Sequence, residues 1–190
     1  MAVLMTLEVP GGTTAMYDRT NEILGIAGAQ DAPPGLVSHV CGETDDGILV
    51  VDVWDSLTAL DEFARNRLGA ALERAGMPDA TPWTSPVHNL LFGAGKEANV
   101  IVLVDMAGFT TEAYDAMVAK MPAHVGSGEN HPAVMHVAAV EPDGNVRVAD
   151  LWDSAEAFGE FARTQLAAVA GDDMPPLTPR IVPVYKRIQV

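Results

Sequence analysis

The stretch VVDVWDSLTALDEFARNRL, residues 50–68, returns as VADLWDSAEAFGEFARTQL at residues 148–166. Trp54 and Trp152, Asp52 and Asp150, Ser56 and Ser154, and Phe63 and Phe161 each stand 98 positions apart. Both copies read alike. A β-rich run closes on Trp-Asp-Ser, and the serine hydroxyl can accept a hydrogen bond from a free first-turn amide, so a helix is expected to open there. Leu60, Phe63, Ala64, Leu68 and Leu72 then recur at helical spacing.

The likeness extends outward on both sides. Upstream the offset is 97, for Thr13 and Thr110, Tyr17 and Tyr114, Asp18 and Asp115, and His39 and His136. The extra residue falls in the turn, where DDG at 45–47 meets PDGN at 142–145. Downstream the offset is 97 again, for Met77 and Met174, Pro82 and Pro179, and Pro86 and Pro183. Matches in one unbroken order point to an internal duplication. The halves join at FGAGKEAN, which predicts one repeat over residues 1–92, a linker over 93–98 and a second repeat over 99–190.

Within a repeat, Val3, Met5, Leu7 and Val9 alternate with Leu4, Thr6 and Glu8, as a strand should, and Val100, Val102, Val104 and Met106 do the same. A helix follows from the Thr-Thr pair and fails by the Gly and Pro of GIAGAQDAPPG or HVGSGENHP. Two further β-rich runs meet at Asp-Gly turn signals, then come the Ser-capped helix and a last strand after Pro86 or Pro183. The fold class is thus α+β, with the order βαββαβ twice, the ferredoxin-like unit. Such a unit covers one sheet face with helices and leaves the other bare, so the two sheets are expected to pack face to face. The pattern V-x-D-x-W-D-S-x-x-A-x-x-x-F resembles the dimeric α/β-barrel superfamily, and within it proteins of the antibiotic-biosynthesis monooxygenase type. That resemblance implies an intramolecular dimeric α/β barrel. It also implies a choice among monooxygenase, haem-degrading, isomerase, decarboxylase and non-catalytic roles.

Composition removes several other classes. The 190 residues are 48% hydrophobic and carry 11 Lys and Arg against 26 Asp and Glu, a net charge of −15. That field repels phosphate backbones and anionic headgroups, so neither a nucleic-acid nor a membrane partner is expected. No apolar run reaches the roughly 20 residues of a membrane helix. The start, MAVLMTLEVPGG, has no basic signal region, and with Cys41 as the one cysteine a cytoplasmic location is expected. The Gly-rich phosphate loops and the G-x-S-x-G elbow are absent from the sequence.

Alternation assigns faces to the strands. Leu49, Val51 and Val53 are uniformly apolar and are expected to meet the helices, which leaves Val50, Asp52 and Trp54 toward an inner cavity, with Asp150 and Trp152 alike. Thr6, Glu8 and Asp105 are expected inward too. His39 and His136 join them, because an unpaired imidazole under a helix is costly to desolvate. The candidate catalytic residues are therefore His39, His136, Asp52 and Asp150. A histidine beside a carboxylate can serve as a general base near neutral pH. Trp54, Trp152, Glu8, Asp105, His88 and Tyr185 are the candidate binding residues. The structural alternative stays open: the tryptophans as core, and the aspartates paired to Arg65 and Arg163.

His88 and Tyr185 occupy corresponding positions in the last strands, so the two halves are chemically unequal. His124, Glu129 and His131 lie within one loop, but their setting reads as solvated loop, and no metal site is expected. His39 and Cys41 share a face, and a buried inert thiol is the expected state of Cys41. The resemblance would place a haem-binding histidine about nine residues beyond the strand tryptophan. Phe63 and Phe161 stand there, and no cofactor is expected. The reading is a cofactor-independent monooxygenase acting on a small aromatic or polyketide-like molecule. A ligand-binding or structural pseudo-dimer without turnover is the alternative, and association into a homo-oligomer is left open.

Overall fold

Side-chain caps start the helices where the sequence predicts. In the computed structural model, which describes residues 1–126, 128, 130–170 and 176–190, the Thr13 hydroxyl accepts from the Met16 amide at 3.2 Å and opens α1 (Thr14–Leu24). Gly25, at φ 70°, ends it in a left-handed turn. Ser56 accepts from the Ala59 amide at 3.3 Å and Ser154 from the Ala157 amide at 3.1 Å, starting α2 (Leu57–Phe63) and α6 (Ala155–Phe161). Each of these helices then widens into one π-helical turn, Ala64–Leu68 and Ala162–Leu166, the first running on into α3 (Gly69–Ala75) and the second into α7 (Ala167–Val169). α4 (Thr111–Val118) and the short α5 (Ala123–Gly126) complete the helices. Among the described residues no helix is long and apolar enough to cross a membrane.

The strands are β1 (Val3–Pro10), β2 (Leu36–Thr44), β3 (Gly47–Trp54), β4 (Trp83–Phe92), β5 (Val100–Thr110), β6 (Met135–Val140), β7 (Asn145–Trp152) and β8 (Arg180–Gln189). β4 and β8 begin three residues ahead of the prolines expected to precede them. Gly47 closes the turn into β3 because a Cβ there would lie 2.1 Å from the Val9 carbonyl oxygen. The chain is α+β, with strands in the order β1-β3-β2-β8 in one sheet and β5-β7-β6-β4 in another.

The chain divides into two compact units, Met1–Thr84 with Pro183–Val190, and Ser85–Val182. In the first, β3 pairs with β1 and β2, and β2 pairs with β8. In the second, β7 pairs with β5 and β6, and β6 pairs with β4. Each unit therefore combines three strands of one repeat with the last strand of the other. Its helices cover one sheet face. Met5, Val9, Tyr17, Val50, Trp54 and Leu60 share a core in the first unit, and Val104, Met106, Tyr114, Val148, Trp152 and Phe161 share one in the second. Met77 falls beside the first core, while its counterpart Met174 lies outside the described residues.

Register corrects the expected faces of β3. Met5 stands directly opposite Asp52 and Thr6 opposite Val51, and directly opposed residues share a face. Val50, Asp52 and Trp54 therefore lie under the helices with Met5 and Leu7, whereas Leu49, Val51 and Val53 point to the other face. Every residue from Ile48 to Trp54 is buried, so apolar character could not tell one face from the other.

Candidate functional site

The β2–β3 ladder places His39 opposite Asp52, and the β6–β7 ladder places His136 opposite Asp150. In the first unit His39 Nδ1 is 2.7 Å from Asp52 Oδ1, and the Trp54 indole N–H donates to Asp52 Oδ2 at 3.2 Å. A carboxylate only accepts, so Nδ1 carries the proton and Nε2 of the neutral ring offers a lone pair. That lone pair takes the Tyr17 hydroxyl at 2.7 Å, with the two rings 8° from parallel. The second unit repeats the chain of bonds. His136 Nδ1 meets Asp150 Oδ1 at 2.8 Å, Trp152 donates to Asp150 Oδ2 at 3.2 Å, and Tyr114 Oη meets His136 Nε2 at 2.8 Å.

The histidine side chains are 15% and 12% exposed and the aspartates less, so each relay is largely withdrawn from water. Burial, with smaller contributions from neighbouring acids such as Asp52, raises the Tyr17 phenol well above its ordinary range, against a lowering by Asn21. Burial likewise pushes Tyr114 up to about 12, although the Asn89 amide, which donates to its oxygen at 2.8 Å, holds it down. Both phenols stay protonated at neutral pH.

Each relay lines a cleft between its own helices and sheet. In the first unit Tyr17, His39, Asp52 and Trp54 are joined by Met5, Phe63, Leu68 and Leu72 around about 720 Å³, counting the open mouth. In the second, Tyr114, His136, Asp150, His131, Phe161 and Leu166 border about 620 Å³. The π turn sets Leu68 five residues beyond Phe63 on the same cleft wall, and Leu166 likewise after Phe161, a spacing a regular helix would rotate away. The walls are apolar apart from the relay and a few polar side chains, as small-molecule pockets usually are.

The expected residues fall into three groups. His39 with Asp52 and Trp54, and His136 with Asp150 and Trp152, come together as one face. They meet under the helices, however, and not in a cavity on the other side of the sheet. Each tryptophan braces the free oxygen of its aspartate, and its ring packs on Phe63 at 5.5 Å or Phe161 at 5.3 Å. Those phenylalanines fill the positions where a haem-binding histidine would be sought. Glu8 stands opposite Leu49 and is exposed on the face away from the relay. Asp105 is exposed and bonds Arg147 Nε at 2.6 Å. Neither reaches the relay.

His88 and Tyr185 form the third group, and each serves the unit of the opposite repeat. His88 Nε2 meets Asp115 at 2.7 Å with its ring edge-on to Tyr114, and Tyr185 donates to Asp18 at 2.6 Å, edge-on to Tyr17. Arg163 pairs with Glu160 and Arg65 is exposed, so the aspartates hold to histidine and tryptophan. Cys41 shares the helix-side core with His39's strand face, and burial, reinforced by Asp52, pushes its thiol up to about 12. It is a packed thiol. Among the described residues no group of His, Cys, Asp and Glu is arranged to hold a metal ion; Glu129 and the His124 side chain lie outside them.

Sequence reasoning passes over Tyr17 and Tyr114. Their shared offset of 97 with His39 and His136 is the available signal, since two pairs kept at one spacing can meet in the fold. His131 reads in the sequence only as a loop residue; it is buried in the second cleft.

No family profile and no curated protein matches the sequence. Solved structures do. A protein of Fusobacterium nucleatum subsp. nucleatum named "putative monooxygenase" is similar at a TM-score of 0.70 and 8% identity, over 99% of this chain and 94% of its own. A protein of Lactobacillus acidophilus NCFM with the same name is similar at 0.67 and 10% identity, over 99% and 96%. An "anthrone oxidase-like protein" is similar at 0.51 and 16% identity, over 99% and 92%. At these identities the likeness is one of fold.

Proposed function

We propose that this chain is a small-molecule enzyme, a cofactor-independent monooxygenase that oxidises an electron-rich aromatic or polyketide-like substrate with dioxygen. The observation that carries the proposal is the imidazole of each relay. Its Nδ1–H is fixed on a buried carboxylate and its Nε2 faces a tyrosine hydroxyl on the wall of an apolar cleft. That is the arrangement of a general base whose protonated form is stabilised on demand. The names of the similar structures agree with this chemistry, and the two repeats are read as two ferredoxin-like copies of one such site.

In the proposed cycle an anthrone-like methylene loses a proton to the tyrosine oxygen while the tyrosine proton passes to Nε2. The imidazolium is held by Asp52 or Asp150. The carbanion forms a carbon–oxygen bond to dioxygen, and the resulting peroxide anion takes the proton back. Loss of the second methylene proton then breaks the oxygen–oxygen bond, leaving a carbonyl and releasing water. Substrate CH₂ plus O₂ gives C=O plus H₂O, and all four electrons come from the substrate, so no reduced cofactor enters the balance. The apolar walls exclude water from the carbanion.

The test is oxygen uptake with a panel of anthrones and hydroxyaromatics. The wild type is expected to consume one dioxygen per carbonyl formed. The double variant H39Q/H136Q is expected to lose about 10²–10⁴-fold in rate, the usual worth of a positioned base. Ligand binding without uptake above the buffer rate for any of the panel would overturn the enzyme reading in favour of a ligand-binding pseudo-dimer.

A further inference from the structure

His131 is the polar group of the second cleft that the relay leaves unused. It is 5% exposed and borders the cleft together with His136 and Asp150. Its ring lies 5.3 Å from that of His136, 6.0 Å from Trp152 and 5.1 Å from Phe161. The Ala133 amide donates to its Nδ1 at 3.2 Å, so Nδ1 is the acceptor and the proton of the neutral ring sits on Nε2. Among the described residues no acceptor bonds that Nε2–H. At the corresponding position of the first repeat stands Pro34, which has no donor at all.

We propose that His131 binds the oxygen anion of an ionised substrate, a contact that the second cleft offers and the first lacks. An N–H on an apolar cleft wall with no acceptor among the described residues is a donor that a ligand oxygen can complete. Proton transfer from a phenol or enol to the Tyr114–His136–Asp150 relay leaves a negative oxygen in the cleft, and a neutral imidazole donor offsets it without adding charge of its own. Burial first, then the neighbouring His136, with Asp150 opposing, lowers the pKa of His131 to about 4, so the ring is a neutral donor at neutral pH. The inference deepens the monooxygenase reading by naming the group that holds the substrate oxygen, and it rests on that reading only for the steps after ionisation.

The probe is para-nitrophenol, whose phenolate is read by its visible absorbance, with nitrobenzene as the analogue that has no ionisable oxygen. The wild-type chain is expected to bind one para-nitrophenolate at a pH where the free probe is still largely the phenol. H131F keeps an aromatic ring beside Trp152 and Phe161. It is expected to weaken binding of the phenolate by about tenfold or more, the worth of one hydrogen bond to a charged group, and to bind nitrobenzene within about twofold of wild type. In the unaltered chain labelled with ¹⁵N-histidine, one buried ring should carry its proton on Nε2 and shift when the probe is added, which decides the matter even if H131F fails to fold. Undiminished phenolate binding by H131F, no phenolate binding by the wild type, or a proton on Nδ1 of His131 would each overturn the proposal. Failure of oxygen uptake with every substrate would remove the monooxygenase reading and leave these three outcomes to judge His131 separately.

Discussion

The two clefts hold the same relay to within 0.1 Å in every bond, yet almost nothing else polar around them agrees. The first has Pro34, Lys186 and Tyr185 where the second has His131, Asn89 and His88. Asn89 donates to Tyr114, while Lys186 sits 3.9 Å from Asp18. The histidine–aspartate bond of each relay joins residues that strand register brings face to face, and the tryptophan–aspartate bond joins residues two apart on one strand, so both are reproduced wherever the ladder is reproduced, while the tyrosine reaches the histidine from the preceding helix. The surrounding groups come from a loop and from a strand supplied by the other repeat, and these are free to differ without disturbing the ladder. One geometry has therefore been given two chemical settings.

The largest expected difference between the units concerns pH. The folded state takes up a proton at His131 less readily than the unfolded chain, because burial lowers its pKa from 6.5 to about 4. Above the ordinary value both states are neutral there and the residue contributes nothing. As pH falls through that window the unfolded chain is protonated first, so stability drops by up to about 3 kcal/mol and then levels off. The comparison to make is urea denaturation of wild type and H131F at about pH 7 and about pH 4.5, the variant being expected to lose less. Equal losses in both would mean that the second cleft is not distinguished by a buried neutral histidine.

Next in size come the matched variants D52N and D150N. Asparagine can accept from only one of the two N–H groups that each carboxylate now satisfies, so each change should cost about 1–3 kcal/mol by denaturant titration. The two costs should agree within about 1 kcal/mol, since the relays are alike. A larger gap would show that the surroundings, and not register, hold one of them together.

The smallest expected effects concern the helix starts. S56A and S154A each remove a hydroxyl that accepts a first-turn amide, and each should lower stability by about 1 kcal/mol. Thermal melts of the two variants should shift by similar amounts. A shift in one alone would place more of the helix's stability in packing on that unit.

The amino-acid sequence by itself determined the repeated pattern, the order of elements and the capped helix starts. Those come from local rules: serine before a helical run, a side-chain period of two along a strand, and an equal offset carrying one pattern onto another. It could not say which face of β3 meets the helices, because all residues from Ile48 to Trp54 are apolar or end up buried, and a period of two fixes only which residues share a face. Tertiary structure decided that through the pairing of Met5 with Asp52. It likewise decided that Tyr17 closes on His39 across 22 positions of chain, and that His88 and Tyr185 attend the tyrosine of the opposite repeat. Each of these contacts joins elements distant in sequence, and their meeting depends on ladder register and on which strand completes which sheet, quantities that no local pattern of residues encodes.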